Sequence, residues 1–234
     1  MWALNGLKLF KKLDFYDDHQ HYSRREEAPN SIWFESEDSL IVFLAFKGCK
    51  NLVSRHLTTC PKCQSTNEHG VAGLARSFFL AACPGFASTA RGIPDGAAAA
   101  GASIDVDAVI GGTTALYAAC LKGKTATVEL LLKHESNVSR SLCQPYQFAL
   151  HAAAAHNEES VVGVILRHEH ECGSNIRRLL SAKADAGYTV FHQVVLEGQT
   201  RDLERLLYKI KDGVTAQPLR ERTQGNRTPY QLAT

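Results

Sequence analysis

The chain has no run of apolar residues approaching the ~18 that a membrane-crossing helix needs, so no such helix is expected. Its opening, MWALNGLKLFKKL, has neither a continuous apolar core nor a small-residue cleavage site, which argues against a secretory signal. The same stretch lacks the Arg and Ser that an organelle transit peptide carries. There is little surplus of either charge. Lys and Arg number 26 against 24 Asp and Glu, for a formal net charge of +2. That balance gives no reason to expect nucleic acid or an anionic membrane as partner. Basic residues do gather near the end (Arg201, Arg205, Lys209, Lys211, Arg220, Arg222, Arg227), but acidic residues are interleaved, as on a solvated helix face and loop. The short signatures of catalysis are missing as well. The chain contains no phosphate-cradling Gly-x-x-x-x-Gly-Lys-Ser/Thr loop, no His-Glu-x-x-His and no Gly-x-Ser-x-Gly, and no Gly-x-Gly-x-x-Gly follows a strand. No enzymatic activity, metal or cofactor is expected.

What is present is repetition. Over residues 112–139 two short apolar helices can be read. Thr114, Leu116, Ala118 and Ala119 open the first, and Gly123 closes it with the left-handed backbone a C-terminal cap requires. Val128, Leu130, Leu131 and Leu132 cluster on one face of the second at helical spacing. A lone helix pair of this length cannot bury its apolar faces, so it needs copies stacked on both sides. Copies follow. One holds Leu150, His151, Ala152 to Ala155 and Asn157, then Val161 to Leu166. Another holds Tyr188, Thr189, Phe191, His192 and Gly198, then Leu203, Leu206 and Leu207. A further one starts at Asn226-Arg227-Thr228-Pro229, where Pro fits a first helical turn because its missing N–H would be unpaired there anyway. Upstream the pattern degrades. Ile41 to Gly48 and Phe78 to Gly85 read as first helices, and Gly101 to Asp105 as the end of the latter's repeat, but between Gly85 and that end Pro94 with Gly92, Gly96 and Gly101 predicts a poor second helix. The capping positions fall at 48, 85, 123, 157 and 198. The excess length between them is expected in loops at 58–73, 168–183 and 209–224.

The stretch 112–139 resembles one ankyrin repeat without insertion or deletion, and the Leu-His and Thr-Pro pairs of the other copies are similar to that family's first helix. The resemblance implies an all-α ankyrin-repeat solenoid, helix-turn-helix units joined by β-turn tips. It divides the chain into an N-terminal arm at 1–37 and a repeat domain at 38–234, degenerate over 38–105, clear over 106–207 and incomplete over 225–234. It also implies a protein–protein interaction scaffold whose partner is another protein, with no nucleic acid and no membrane. In this family the concave face is formed by turn tips and the exposed side of each first helix. Carried over by position, the tips are Ile110 with Gly111 and Thr113, then Gln144 and Gln147, then Asp185, Ala186 and Tyr188. The helix positions are Leu121 and Lys122, Ala155 and His156, and Leu196 and Glu197. Leu121, Tyr188 and Leu196 are the apolar or amphipathic anchors from which interface hot spots are made. The recurrent His151 and His192, with Tyr117 and Gln231 at the same place, imply a residue bonded to the backbone of the next turn, not an acid–base pair.

Two readings compete with a stand-alone scaffold. The chain could be the docking part of a larger enzyme, channel or ubiquitin-ligase adaptor. Alternatively, Thr228-Pro229-Tyr230-Gln231-Leu232 resembles the last repeat of cytoplasmic inhibitors of NF-κB-type factors, although the Asp-Ser-Gly phosphodegron and acidic tail of those proteins are missing. Seven cysteines, an odd number, with Cys83 and Cys120 at positions the repeat buries, point to free thiols in a reducing intracellular compartment, cytoplasmic or nuclear. A zinc site from Cys60 and Cys63 with His56 and His69 would have metal-ligand chemistry, but no second Cys pair supports it. His168, His170 and Cys172 alternate with Glu169 and Glu171, and positions two apart on a helix do not face one another.

Overall fold

The computed structural model describes residues 39–59, 68–99, 101, 103–134, 136, 138, 148–156, 158–172, 176–198, 200–211 and 217–233. The arm at 1–37 lies outside them. All regular structure among these residues is helical. In chain order the helices are α1 (Ser39–Phe46), α2 (Lys50–Thr59), α3 (Glu68–Ala82), α4 (Ala87–Ala99), α5 (Ala115–Leu121) and α6 (Thr125–Lys133). They continue as α7 (Ala149–Ala155), α8 (Glu159–Glu171), α9 (Ile176–Ser181), α10 (Val190–Leu196), α11 (Thr200–Lys211) and α12 (Pro229–Leu232). Single 3₁₀ turns occupy Asp185–Gly187 and Gln217–Arg220.

The helices form two layers. The inner layer runs α1, α3, α5, α7, α10, α12, each packed on the next, and the outer layer runs α2, α4, α6, α8, α11 in the same way. Each inner helix also packs on the outer helix that follows it, from α1 with α2 to α10 with α11. That ladder is an all-α solenoid, and its core is one continuous apolar cluster running from Ile41 to Leu206. The centre shows why the sequence makes it. Ala115, Leu116, Ala118, Ala119 and Cys120 of α5 are buried, as are Val128, Leu130, Leu131 and Leu132 of α6. Small residues on the inner helix let the leucines of the outer one close on it. Burying each large aliphatic side chain contributes about 1.5–3 kcal/mol, which neither helix could gain alone.

The inner helices end in a common way. Gly48, Gly85, Gly123 and Gly198 all adopt left-handed backbone, with φ of 68°, 95°, 63° and 66°; Asn157 lies outside the described residues. These glycines are also steric windows between copies. A Cβ at Gly48 would strike the Phe86 ring, one at Gly85 the Lys124 stem, and one at Gly123 the Glu158 carboxylate. The residue that leads into each outer helix therefore lies across the cap of the preceding copy, and the copies are held in register.

Two expectations need correction. The segment expected to be a poor second helix is a 13-residue helix, α4, with Pro94 inside it. Pro removes one helical hydrogen bond, but Ala90, Ile93 and Ala97 are buried. Gly96 is what lets α4 approach, because a Cβ there would sit 2.7 Å from Leu57 Cδ1 of α2. Glycine there serves close packing between copies, which helix propensity does not register. The three segments expected as loops are largely helical where they are described: α3 starts at Glu68, α8 runs to Glu171 before the extra helix α9, and α11 reaches Lys211. In α9, Leu179 and Leu180 are fully buried, so the added length contributes core. In α2, Val53 and Leu57 are buried while Leu52 is 51% exposed.

Candidate functional site

The candidate surface comprises the turn tips and the inner helices. At the first tip, Ile110 and Thr113 exchange both backbone hydrogen bonds, at 2.8 and 3.2 Å, around Gly111 and Gly112. Gly111 and Gly112 are both left-handed, with φ of 60° and 80°. The Asp185–Gly187 tip closes through Ala184 N–H donating to the Tyr188 carbonyl at 2.7 Å. The last tip docks on it, since Gln224 N–H donates to the Ala186 carbonyl at 2.8 Å and Lys183 pairs with Glu221 at 2.8 Å. Gln144 and Gln147, expected on the intervening tip, lie outside the described residues.

Behind each tip the inner helix opens on one motif. Thr114 accepts a hydrogen bond from Tyr117 N–H at 3.2 Å, and Thr228 one from Gln231 N–H at 3.3 Å. These side-chain caps satisfy amides that a helix start leaves unpaired. At α10 the arrangement extends between copies. Thr189 N–H donates to His192 Nδ1 at 3.1 Å, and His192 Nε2 lies 3.1 Å from the Arg227 carbonyl. The amide can only donate and the carbonyl only accept, so His192 is the neutral Nε2–H tautomer bridging two repeats. Its pKa is lowered by burial, with the Arg227 carbonyl pulling the other way. His151 stands at the same position in the previous copy, fully buried, with neither ring nitrogen hydrogen-bonded. Burial pushes its pKa down to about 4, opposed by the backbone of Tyr188 and Ala182, which faces the ring without closing a hydrogen bond. Both histidines are enclosed in the stack and offer no accessible base.

The other predicted residues are placed unevenly. Leu196 is 50% exposed. Lys122, His156 and Glu197 are exposed, whereas Thr113, Ile110 and Ala155 are half-buried. Leu121 is also half-buried, packed on Tyr117 and Ala152 rather than free in solvent. Tyr188 is half-buried too, its ring edge-on to His192 with centroids 5.8 Å apart, so it supports the histidine bridge as well as facing outward. Ala186 is exposed and left-handed (φ 57°). Lys122 reaches the preceding copy: burial pushes the Cys83 thiol up to about 12, and the Lys122 charge opposes that rise. Cys120 is buried, and burial raises its pKa as well.

The metal candidates gain no geometry. Cys60 and Cys63 lie outside the described residues. His69, expected in a loop, lies in α3, and His56 is half-buried in α2 with its Nε2 unpartnered. At the other candidate, the helix continues to Glu171 and Glu169 is buried, where a loop was expected from 168. His168 and Cys172, four apart, do meet, with Sγ 3.5 Å from Nε2. Among the described residues no three His, Cys, Asp or Glu side chains gather as a metal would need. Sequence reasoning missed an open groove of about 690 Å³ on the outer layer, lined by residues of α8 and α11 that include Leu166, Arg167, Glu204 and Tyr208. Arg201 and Glu159 pair across it at 3.4 Å. Nothing in the repeat pattern signals it, because it forms between the outer helices of two copies.

Stacked helix pairs with left-handed caps and hydrogen-bonded turn tips define a repeat solenoid, a class built to present an extended surface. The family model of ankyrin repeats (3 copies) matches residues 95–178. Over that segment the chain carries ankyrin repeats. Ankyrin repeats are generally protein–protein interaction modules and typically carry no catalysis of their own. No curated protein matches the chain. Among the described residues, no helix is long and apolar enough to cross a membrane.

Proposed function

We propose that the chain is a protein–protein interaction scaffold, its repeats spanning 38–234, that holds a partner on its concave face. The observation that carries this reading is Leu196, a large aliphatic side chain left 50% exposed at the end of α10, next to exposed Glu197 and in the row that also holds Leu121, Lys122 and His156. A single exposed leucine is ordinary. Here it is followed by a polar residue, and half-buried Leu121 with exposed Lys122 stands at the equivalent position two copies earlier, the pairing of apolar anchor and polar rim that interfaces use. The tip residues Ile110, Thr113 and Tyr188 form the other margin of this face, and Gln144 and Gln147 are assigned to it by repeat position. The buried thiols of Cys83 and Cys120 suit a reducing intracellular compartment, cytoplasm or nucleus.

Affinity capture from cell lysate, comparing the wild-type chain with a Leu121→Ala/Leu196→Glu variant that keeps its helical circular dichroism, tests the proposal. A protein retained by the wild type and lost by the variant supports it. A protein retained equally by both sinks it.

A further inference from the structure

Helices α10 and α12 open on the same reciprocal lock of two side chains, built with different chemistry. In α12, Thr228 N–H donates to Gln231 Oε1 at 3.0 Å, and Gln231 N–H donates back to Thr228 Oγ1 at 3.3 Å. In α10, Thr189 N–H donates to His192 Nδ1 at 3.1 Å, with the Thr189 hydroxyl 2.8 Å from the same nitrogen. An amide oxygen accepts at any pH, whereas a ring nitrogen accepts only while it carries no proton. The other nitrogen of His192 already bears its proton toward the Arg227 carbonyl, 3.1 Å away. A second proton must therefore go to Nδ1, where two donors then face each other. The charged ring can keep the Thr189 hydroxyl and the Arg227 carbonyl. The Thr189 amide, in a fully buried residue, loses its acceptor. The Tyr188 ring, edge-on to the imidazole, loses the neutral ring it rests on.

The surrounding charges do not hold the protonated ring in place. Lys183 and Glu221 act on it with opposite signs and pair with each other at 2.8 Å. From α7 the group that acts across is His151, which gains the same positive charge. Asp202 is buried at the start of α11, which adjoins the far end of α10 from His192. Arg201 and Glu204 of α11 and Arg177 and Arg178 of α9 are exposed, and α12 has no charged residue.

We infer that His192 and Thr189 form a pH-sensitive latch, in which protonation of the ring releases the start of α10 and Tyr188 from the stack while the first turn of α5 stays closed. Thr114, which caps α5, does not titrate. The neutral ring holds the latch, so it is shut at neutral pH and opens as pH falls below the ordinary histidine value of 6.5. At α7 there is no such lock to open, because Phe148 caps that helix with no side-chain hydrogen bond and His151 makes none through either nitrogen.

The test is amide hydrogen exchange of the full chain at about pH 7.5 and about pH 5, on either side of the histidine range, each rate divided by that of an unstructured peptide at the same pH. Protection at Thr189–Gln193 should fall about tenfold on going to acid, the worth of one helix cap, while protection at Ala115–Leu121 holds. His192→Gln, which copies the lock of Gln231 in α12, should abolish the fall at Thr189–Gln193, and His151→Gln should leave it in place. No fall in the wild type, an equal fall at Ala115–Leu121, or a fall that persists in His192→Gln overturns the inference. The wild type alone also decides it, should His192→Gln not keep its helical circular dichroism. In ¹⁵N spectra of the imidazoles, His192 should pass from the Nε2–H tautomer to the doubly protonated ring over the same pH range in which Thr189–Gln193 lose protection. Protection lost while the ring stays neutral overturns the latch.

Discussion

Acid should loosen the stack, and the place to see it is His151. The side chain is fully buried, with its pKa pushed down to about 4 from an ordinary 6.5. Because the folded pKa lies below the unfolded one, the neutral ring's contribution is complete above about pH 6.5 and is lost as pH falls toward about pH 4. In that window the unfolded chain takes up a proton that the folded chain refuses. At 1.36 kcal/mol per unit, stability falls by about 2 kcal/mol at about pH 5 and about 3 kcal/mol at about pH 4 from this group alone. His192, also lowered, adds to the fall in the same direction. The assay is urea unfolding followed by circular dichroism at neutral and acid pH, for the wild type and for His151→Gln. Gln stands at this position in the last copy, as Gln231, and does not titrate. The variant should lose about 2 kcal/mol less than the wild type on going to about pH 5. Equal losses would show that His151 is not buried neutral and that the register placing it between copies is wrong.

Two other substitutions probe the same framework. Leu131→Ala, at a fully buried side chain, should cost roughly 2–5 kcal/mol through the cavity it leaves, while Lys122→Ala on the exposed edge should change stability by less than about 0.5 kcal/mol in the same denaturant titration. Equal effects would count against the layer assignment. Gly123→Ala should cost about 1–2 kcal/mol, because a left-handed residue gains a Cβ that meets Glu158, and adding Glu158→Ala should return part of that loss.

Much of this architecture was readable from residue types. Thr114, Gly123 and the leucines of α6 each fill the place their chemistry requires, so helix start, cap and core face fall where the pattern puts them. The bridging role of His192 was legible from the family resemblance and is realised through Arg227. The failures share a cause. Pro94 and Gly96 read as helix breakers because propensity scores a residue alone, whereas α4 is held by its burial and by the closeness to Leu57 that only glycine permits. The extra helix α9 lies in a segment with no counterpart in the repeat period, so counting from the caps could only assign it to a loop. On the candidate face, position within the repeat does not tell how deeply each residue is covered. Leu121 and Tyr188 share their surface with Tyr117, Ala152 and His192, and those neighbours come from packing between copies.

The most direct test of the account is hydrogen–deuterium exchange of the chain alone and with its captured partner. Protection confined to the inner side, at Ile110–Lys122 and Tyr188–Glu197, with the outer helices α6 and α8 unchanged, is the predicted result. Protection of the outer groove around Arg167 and Tyr208, with the inner helices unchanged, would contradict it.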